Sequence, residues 1–218
     1  MSTVTIIGTF HTEIDACSSE ELYQIVKQIA PEVIFCESPL EIFQQQLSAT
    51  EDFNPPEMKV IRKLIKEGDI KVVPVDVYGI AVKDDRINEI FDWFKEKMDN
   101  YKNAGLSQID ATNKNGYSFL NSNLCDKINF DKILMEKEMV CRENNEVLKR
   151  DYAMWLKWNK YREKLWIKKI QDYFDQNKFN NALLLAGAAH RVGLKQLIAE
   201  LKFYNQTKLK WNFDYFSN

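Results

Sequence analysis

Residues that build most recognisable sites are scarce in this chain. Its 218 residues include two histidines, seven glycines and four cysteines. Cys17, Cys36, Cys125 and Cys141 show no Cys-x-x-Cys spacing, which argues against a zinc cluster or thioredoxin-like centre and for free thiols in a reducing compartment. None stands beside a histidine in sequence, so a Cys/His nucleophile pair has little support. The few glycines form neither Gly-x-Gly-x-x-Gly nor a P-loop, so no phosphate-cradling loop is expected. No apolar run approaches the roughly 18 residues that span a bilayer. The opening MSTVTIIG has no basic region and runs straight into a strand-like stretch, unlike a secretory signal; a cytoplasmic location is expected. The net charge of −2 gives no global attraction to nucleic acid or anionic membrane.

What is present is a regular alternation of strands and helices. VTIIG (4–8) is a short apolar run closed by glycine, as in a buried parallel strand. Ser18 or Ser19, followed by Glu20 and Glu21, opens a helix with Leu22, Ile25, Val26 and Ile29 on one face. VIFCE (33–37) is a second strand, and a helix over 57–67 starts behind Pro55-Pro56 and stops at Gly68. IKVVPVD (70–76) is the third strand. From 84 to about 178 the text is charged, aromatic and helical, with a turn-rich polar loop expected near 105–123. This stretch far exceeds an ordinary crossover and reads as a helical insertion or cap. ALLLAG (182–187) returns as a buried strand, a helix follows over 192–203, and KLKWNFDYF (208–216) alternates as an edge strand. The expectation is one α/β domain over 1–218: a mostly parallel sheet flanked by helices, with a long helical insertion before the last strands.

In an open parallel sheet, ligands bind beyond the carboxyl ends of the strands. Read in order, those ends deliver His11, Glu37, Asp76 and His190. Both histidines sit in Gly-x-x-His, as GTFH (8–11) and GAAH (187–190). A glycine there lets the chain leave the sheet sharply and lets backbone approach a ligand. Two imidazoles with one or two carboxylates suit Zn, Mn, Co or Fe with a position left open for water. Glu37 is the candidate general base, or a ligand if Asp76 does not coordinate.

GTFH, CESP with Glu37, and LLLAGAAHRVGL with His190 together resemble the Tiki/TraB superfamily (TraB/PrgY, GumN and Tiki proteins), a distant relative of the erythromycin-esterase and ChaN-like group. The match keeps its order over residues 4–201, though the middle helices carry no recognisable motif. The resemblance implies a metal site at His11 and His190 with Glu37 as acidic partner, Mn or Co as the favoured ion with Zn as another, and metal-dependent peptide hydrolysis. It also assigns Arg162, in YREKLWIKKI (161–170), to orienting a carboxylate or stabilising negative charge; Glu163 follows where many members have Asn or Asp. The chain departs from the pattern in reading GAAH rather than GxGH, in having no membrane helix, and in its compact length.

Two other classes of function fit parts of the sequence. The same pocket could capture a peptide or small molecule without turnover, as PrgY-like relatives suggest. Residues 141–170 hold nine Lys/Arg against four Asp/Glu, with Trp155, Trp158 and Trp166 interleaved, a pattern able to stack single-stranded nucleic acid. A solvated basic face with tryptophans turned inward is the stronger reading. The expected partner is therefore a peptide or small-molecule substrate, with neither membrane nor nucleic acid; a homo-oligomer is left open.

Overall fold

A computed structural model of the chain describes residues 2–49, 55–68, 70–79, 82–204 and 207–216. Five parallel strands form one sheet in the order β3-β2-β4-β1-β5. They are β1 (Thr3–Thr9), β2 (Val33–Cys36), β3 (Lys71–Pro74), β4 (Asn181–Gly187) and β5 (Lys210–Asn212). The alternation expected of strands buried on both faces is explicit. Ile7, Ile34, Cys36, Leu183 and Leu185 point to one apolar core, while Val4, Ile6, Val33, Phe35, Leu184 and Ala186 point to another.

There are eight α-helices among the described residues, and most of them pack on this sheet. On the first face lie α1 (Ser19–Ile29), α2 (Leu40–Ser48) and α3 (Pro56–Glu67). The Ser18 hydroxyl caps α1 by accepting from Glu21 N at 3.1 Å, and α3 starts with proline at its first position. The four helices α4 (Asp84–Lys97), α5 (Asp99–Leu120), α6 (Asn123–Arg142) and α7 (Glu146–Asn177) separate β3 from β4. They do more than cap the site. The end of α5 (Tyr117, Phe119, Leu120) and the start of α6 (Cys125) enter the first core. The second half of α7 (Trp166, Ile167, Ile170) joins α8 (Arg191–Phe203) in the second core. Only the remainder, centred on Phe94, Tyr101 and Tyr152, forms a separate helical core.

Two local expectations need correction. The stretch 105–123 is not a loop: helix α5 runs through most of it to Leu120, with one non-helical residue, Gly116 (φ 55°, ψ −138°). Ser107, Asp110, Lys114 and Asn115 face solvent while Thr112 is buried, and burial of Tyr117 and Leu120 overrides weak local propensity. The segment after Glu37, for which no helix is expected from the sequence, forms α2. The edge strand near the end of the chain is present, shortened to Lys210–Asn212. No helix among the described residues is long and apolar enough to cross a membrane.

Candidate active site

Strand β4 inserts between β1 and β2, so the carboxyl ends of the sheet place Asp76, Glu37, His190 and His11 in a row across four adjacent strands. The two Gly-x-x-His motifs are thus neighbours: Gly8 pairs in register with Ala186, and Thr9 with Gly187. Each glycine makes room for the other motif. A Cβ on Gly187 would stand 2.8 Å from His11 Nε2, and one on Gly8 would stand 2.7 Å from Arg191 Cδ and 2.9 Å from Ala188 Cα.

The imidazoles are held alike. His11 Nδ1 lies 2.8 Å from Glu57 Oε1 at the start of α3, and the same oxygen accepts from the Thr9 hydroxyl. His190 Nδ1 lies 2.8 Å from Glu163 Oε1 on α7. Glu163 reaches it across Gly193 of α8, where a Cβ would fall 2.2 Å from Glu163 Oε2. The ring of His190 also meets Trp166 edge-on, with centroids 4.8 Å apart. With Nδ1 anchored, both Nε2 atoms face Glu37: His190 Nε2 is 3.3 Å from Oε1 and His11 Nε2 is 3.8 Å from Oε2. His11 is solvent-exposed on its outer side, whereas His190 is largely enclosed.

Glu37 accepts from Gly187 N at 2.7 Å and from Arg162 at 2.7 Å. Arg162 in turn grips Asp76 through two bonds, at 3.0 and 2.7 Å. Asp76 also accepts from the Trp166 indole at 2.8 Å. Asp76 thereby stands behind Arg162 as its counter-charge and takes no place beside the imidazoles. Burial alone would push the Glu37 carboxyl up; the charge and hydrogen bond of His190, with His11 and Arg162, outweigh it and hold it well below the usual range. For His190, burial lowers the pKa, but Glu37 and Glu163 raise it to about 9. His11 is raised chiefly by its hydrogen bond to Glu57.

The ends of the strands are fixed from behind. Strand β5 pairs with β1 only at Thr3–Thr5, and beyond it the Asn121 amide takes over. Asn121 accepts from Gly8 N at 2.7 Å and donates to Gly8 O at 3.0 Å. Arg191, fully buried beside His190, donates to Asn121 Oδ1 and to Asp126 at 2.9 and 3.0 Å. A cleft of about 730 Å³ opens over His11, Glu37 and Glu57. Cys36 lies in its wall, but burial pushes that thiol up to about 12, so it is no nucleophile at neutral pH. All four cysteines are free.

All five residues singled out in the sequence therefore fall in one cluster, with Asp76 one step removed. The sequence carries no sign of Glu57 or Asn121 at the site, shows Trp166 only within the basic, aromatic stretch, and marks Glu163 only as following Arg162. An acidic residue in a first helical turn carries no signal beyond dipole compensation.

The donor chemistry fits a divalent ion. Each imidazole has Nδ1 on a carboxylate and Nε2 toward Glu37, the arrangement that orients metal-binding histidines. The Glu57 Oε2 atom is moreover buried without a partner. As arranged, no group of three or more His, Cys, Asp or Glu among the described residues encloses a metal position. Comparisons with family models, curated proteins and solved structures gave no match.

Proposed function

We propose that the site hydrolyses a carbonyl substrate, a peptide or an ester, at the carboxyl rim of the sheet. The observation that carries this reading is the convergence of both Nε2 atoms on one buried carboxylate, Glu37, beneath an open cleft. A divalent ion held by His11 and His190 would polarise the carbonyl and acidify a water molecule. The chain's own groups account for the rest. Glu57 and Glu163 fix the Nδ1–H tautomer and so direct both Nε2 lone pairs toward Glu37. With both imidazoles neutral, their charges no longer hold Glu37 low. Glu37 then takes a proton from the attacking water while the water oxygen bonds to the carbonyl carbon, and gives that proton to the leaving amine or alcohol as the scissile C–N or C–O bond breaks. Arg162 keeps Glu37 ionised and oriented, and Asp76 with the Trp166 indole keeps Arg162 in place. The Gly-x-x-His pair, Glu37 and Arg162 are the features shared with the Tiki/TraB superfamily, which supports peptide bonds as the first substrates to try and Mn or Co as the first ions.

The test is to load the protein with Mn, Co or Zn and assay peptide and ester cleavage. Product is expected from the wild type, with a loss of at least about a hundredfold in His11→Ala and His190→Ala. Equal metal content and equal activity in all three would sink the proposal. Uptake of peptide without product would transfer the site to the capture reading instead.

A further inference from the structure

A second cleft, of about 330 Å³, is lined by Arg162, whose guanidinium bonds to Glu37 in the wall of the first. Its walls include Tyr78, Trp155, Trp158 and Ile87, with the carboxylates Asp76 and Asp84. The volume is at the small end for ligand pockets, suited to one side chain rather than a whole ligand. Trp158 is held in place by stacking on Tyr161, with centroids 5.5 Å apart at 26°. Trp155 is braced by an edge contact to Phe91 at 5.0 Å. Tyr78 is 73% exposed, an unusual placement for an aromatic ring beside a cleft.

The charge in this cleft is one-sided. Arg162 is compensated by the two-pronged contact with Asp76 and by its bond to Glu37. Asp84, the first residue of α4, is exposed and forms no ion pair among the described residues. The net offer is three aromatic rings with an exposed carboxylate that has no side-chain counter-charge among the described residues, its only compensation being the start of α4. Aromatic faces attract cations through their quadrupole, and a carboxylate at the rim repels an acidic guest.

We propose that this cleft is a specificity subsite for a basic side chain, lysine or arginine, of a peptide whose backbone lies across Arg162 next to Glu37. This rests on the hydrolase reading for the cleavage that would follow, but not for the binding itself. Arg162, which lines this cleft, bonds to Glu37 and to Asp76 at 2.7 Å each, so one side chain separates the cleft from the reactive carboxylate.

The experiment is a pair of titrations on the full chain, followed by NMR of the tryptophan indole N–H signals. The probes are Nα-acetyl-lysine amide and its neutral isostere Nα-acetyl-norleucine amide. Lysine amide is expected to bind about tenfold more tightly, as a cation over aromatic faces with a nearby carboxylate should, and Asp84→Asn should abolish the preference while the protein stays folded. Trp158→Leu should weaken lysine amide in the same way and gives a second reading. Equal binding of the two probes, or an unchanged preference in Asp84→Asn, overturns the subsite. Cleavage is scored separately on peptides with lysine or norleucine at one position. Lysine-selective binding without product contradicts hydrolysis and keeps the subsite; product without lysine preference does the reverse.

Discussion

Gly187 and Gly8 hold opposite halves of one steric arrangement, and their replacement should separate function from stability. A methyl on Gly187 meets the His11 ring, which is half-exposed and can turn toward solvent by giving up its bond to Glu57. Gly187→Ala should therefore cost less than about 1 kcal/mol of stability while displacing His11 and cutting activity about tenfold or more. A methyl on Gly8 meets the buried Arg191 side chain and the Ala188 backbone, neither of which can yield. Gly8→Ala should lose about 1–3 kcal/mol. Urea unfolding beside a cleavage assay checks both; a Gly187→Ala protein with normal activity would contradict the placement of His11. At this scale the sequence displayed much of the site, because histidine is rare and each copy follows a glycine at the same distance. Glu57 and Glu163 were illegible as partners. Their role exists only once α3 and α7 dock against the ends of β1 and β4, and acidic residues on exposed helical text look alike whether or not they will be buried.

The elements repeat this pattern of local clarity and long-range silence. Strands β1, β2 and β4 are apolar runs too short for helices, and α1 and α3 carry their caps in the text, so all five were readable. Helix α5 was not, since its residues 105–116 favour turns and its stability comes from the other end, where Tyr117, Phe119 and Leu120 are buried. The bend that turns them inward depends on Gly116, whose φ of +55° strains any other residue. A Cβ there would also lie 1.9 Å from the Ala16 carbonyl oxygen. Gly116→Ala should destabilise the protein by about 2–4 kcal/mol, read as a lower urea midpoint. A change below about 0.5 kcal/mol would mean that the bend is not a fixed part of the fold. The insertion before β4 was legible as helical, but its division among three cores was not. That division depends on which helix face meets the sheet, and the low amphipathicity of α6 and α7, each touching more than one partner, hides it.

For the molecule as a whole, the clustered charges set a pH dependence. In the metal-free protein, His190 has its pKa raised to about 9 from 6.5, so its contribution is complete below about pH 6.5 and is lost as pH rises through 9. Glu37, held below its usual 4.5, contributes above about pH 4.5 and loses that contribution on acidification. Thermal melts should therefore show greatest stability between about pH 4.5 and 6.5, with a decline toward pH 9. Added zinc should flatten the alkaline decline, because the ion replaces the protons that the rising pH removes. A metal-free protein equally stable at pH 6 and pH 9 would show that His190 does not carry its charge in the folded state. The parallel order β3-β2-β4-β1-β5 is what brings two motifs nearly the whole chain apart onto neighbouring strands.

Because the chain has only two histidines, nitrogen-15 NMR of the imidazoles tests the central claim, that both belong to one site, with no other signal in the way. Both rings should be in the Nδ1–H form when neutral or metal-bound, and substoichiometric zinc should shift both sets of Nε2 signals together, saturating at one ion per chain. A shift confined to one imidazole, or two shifts with separate stoichiometries, would contradict a shared site.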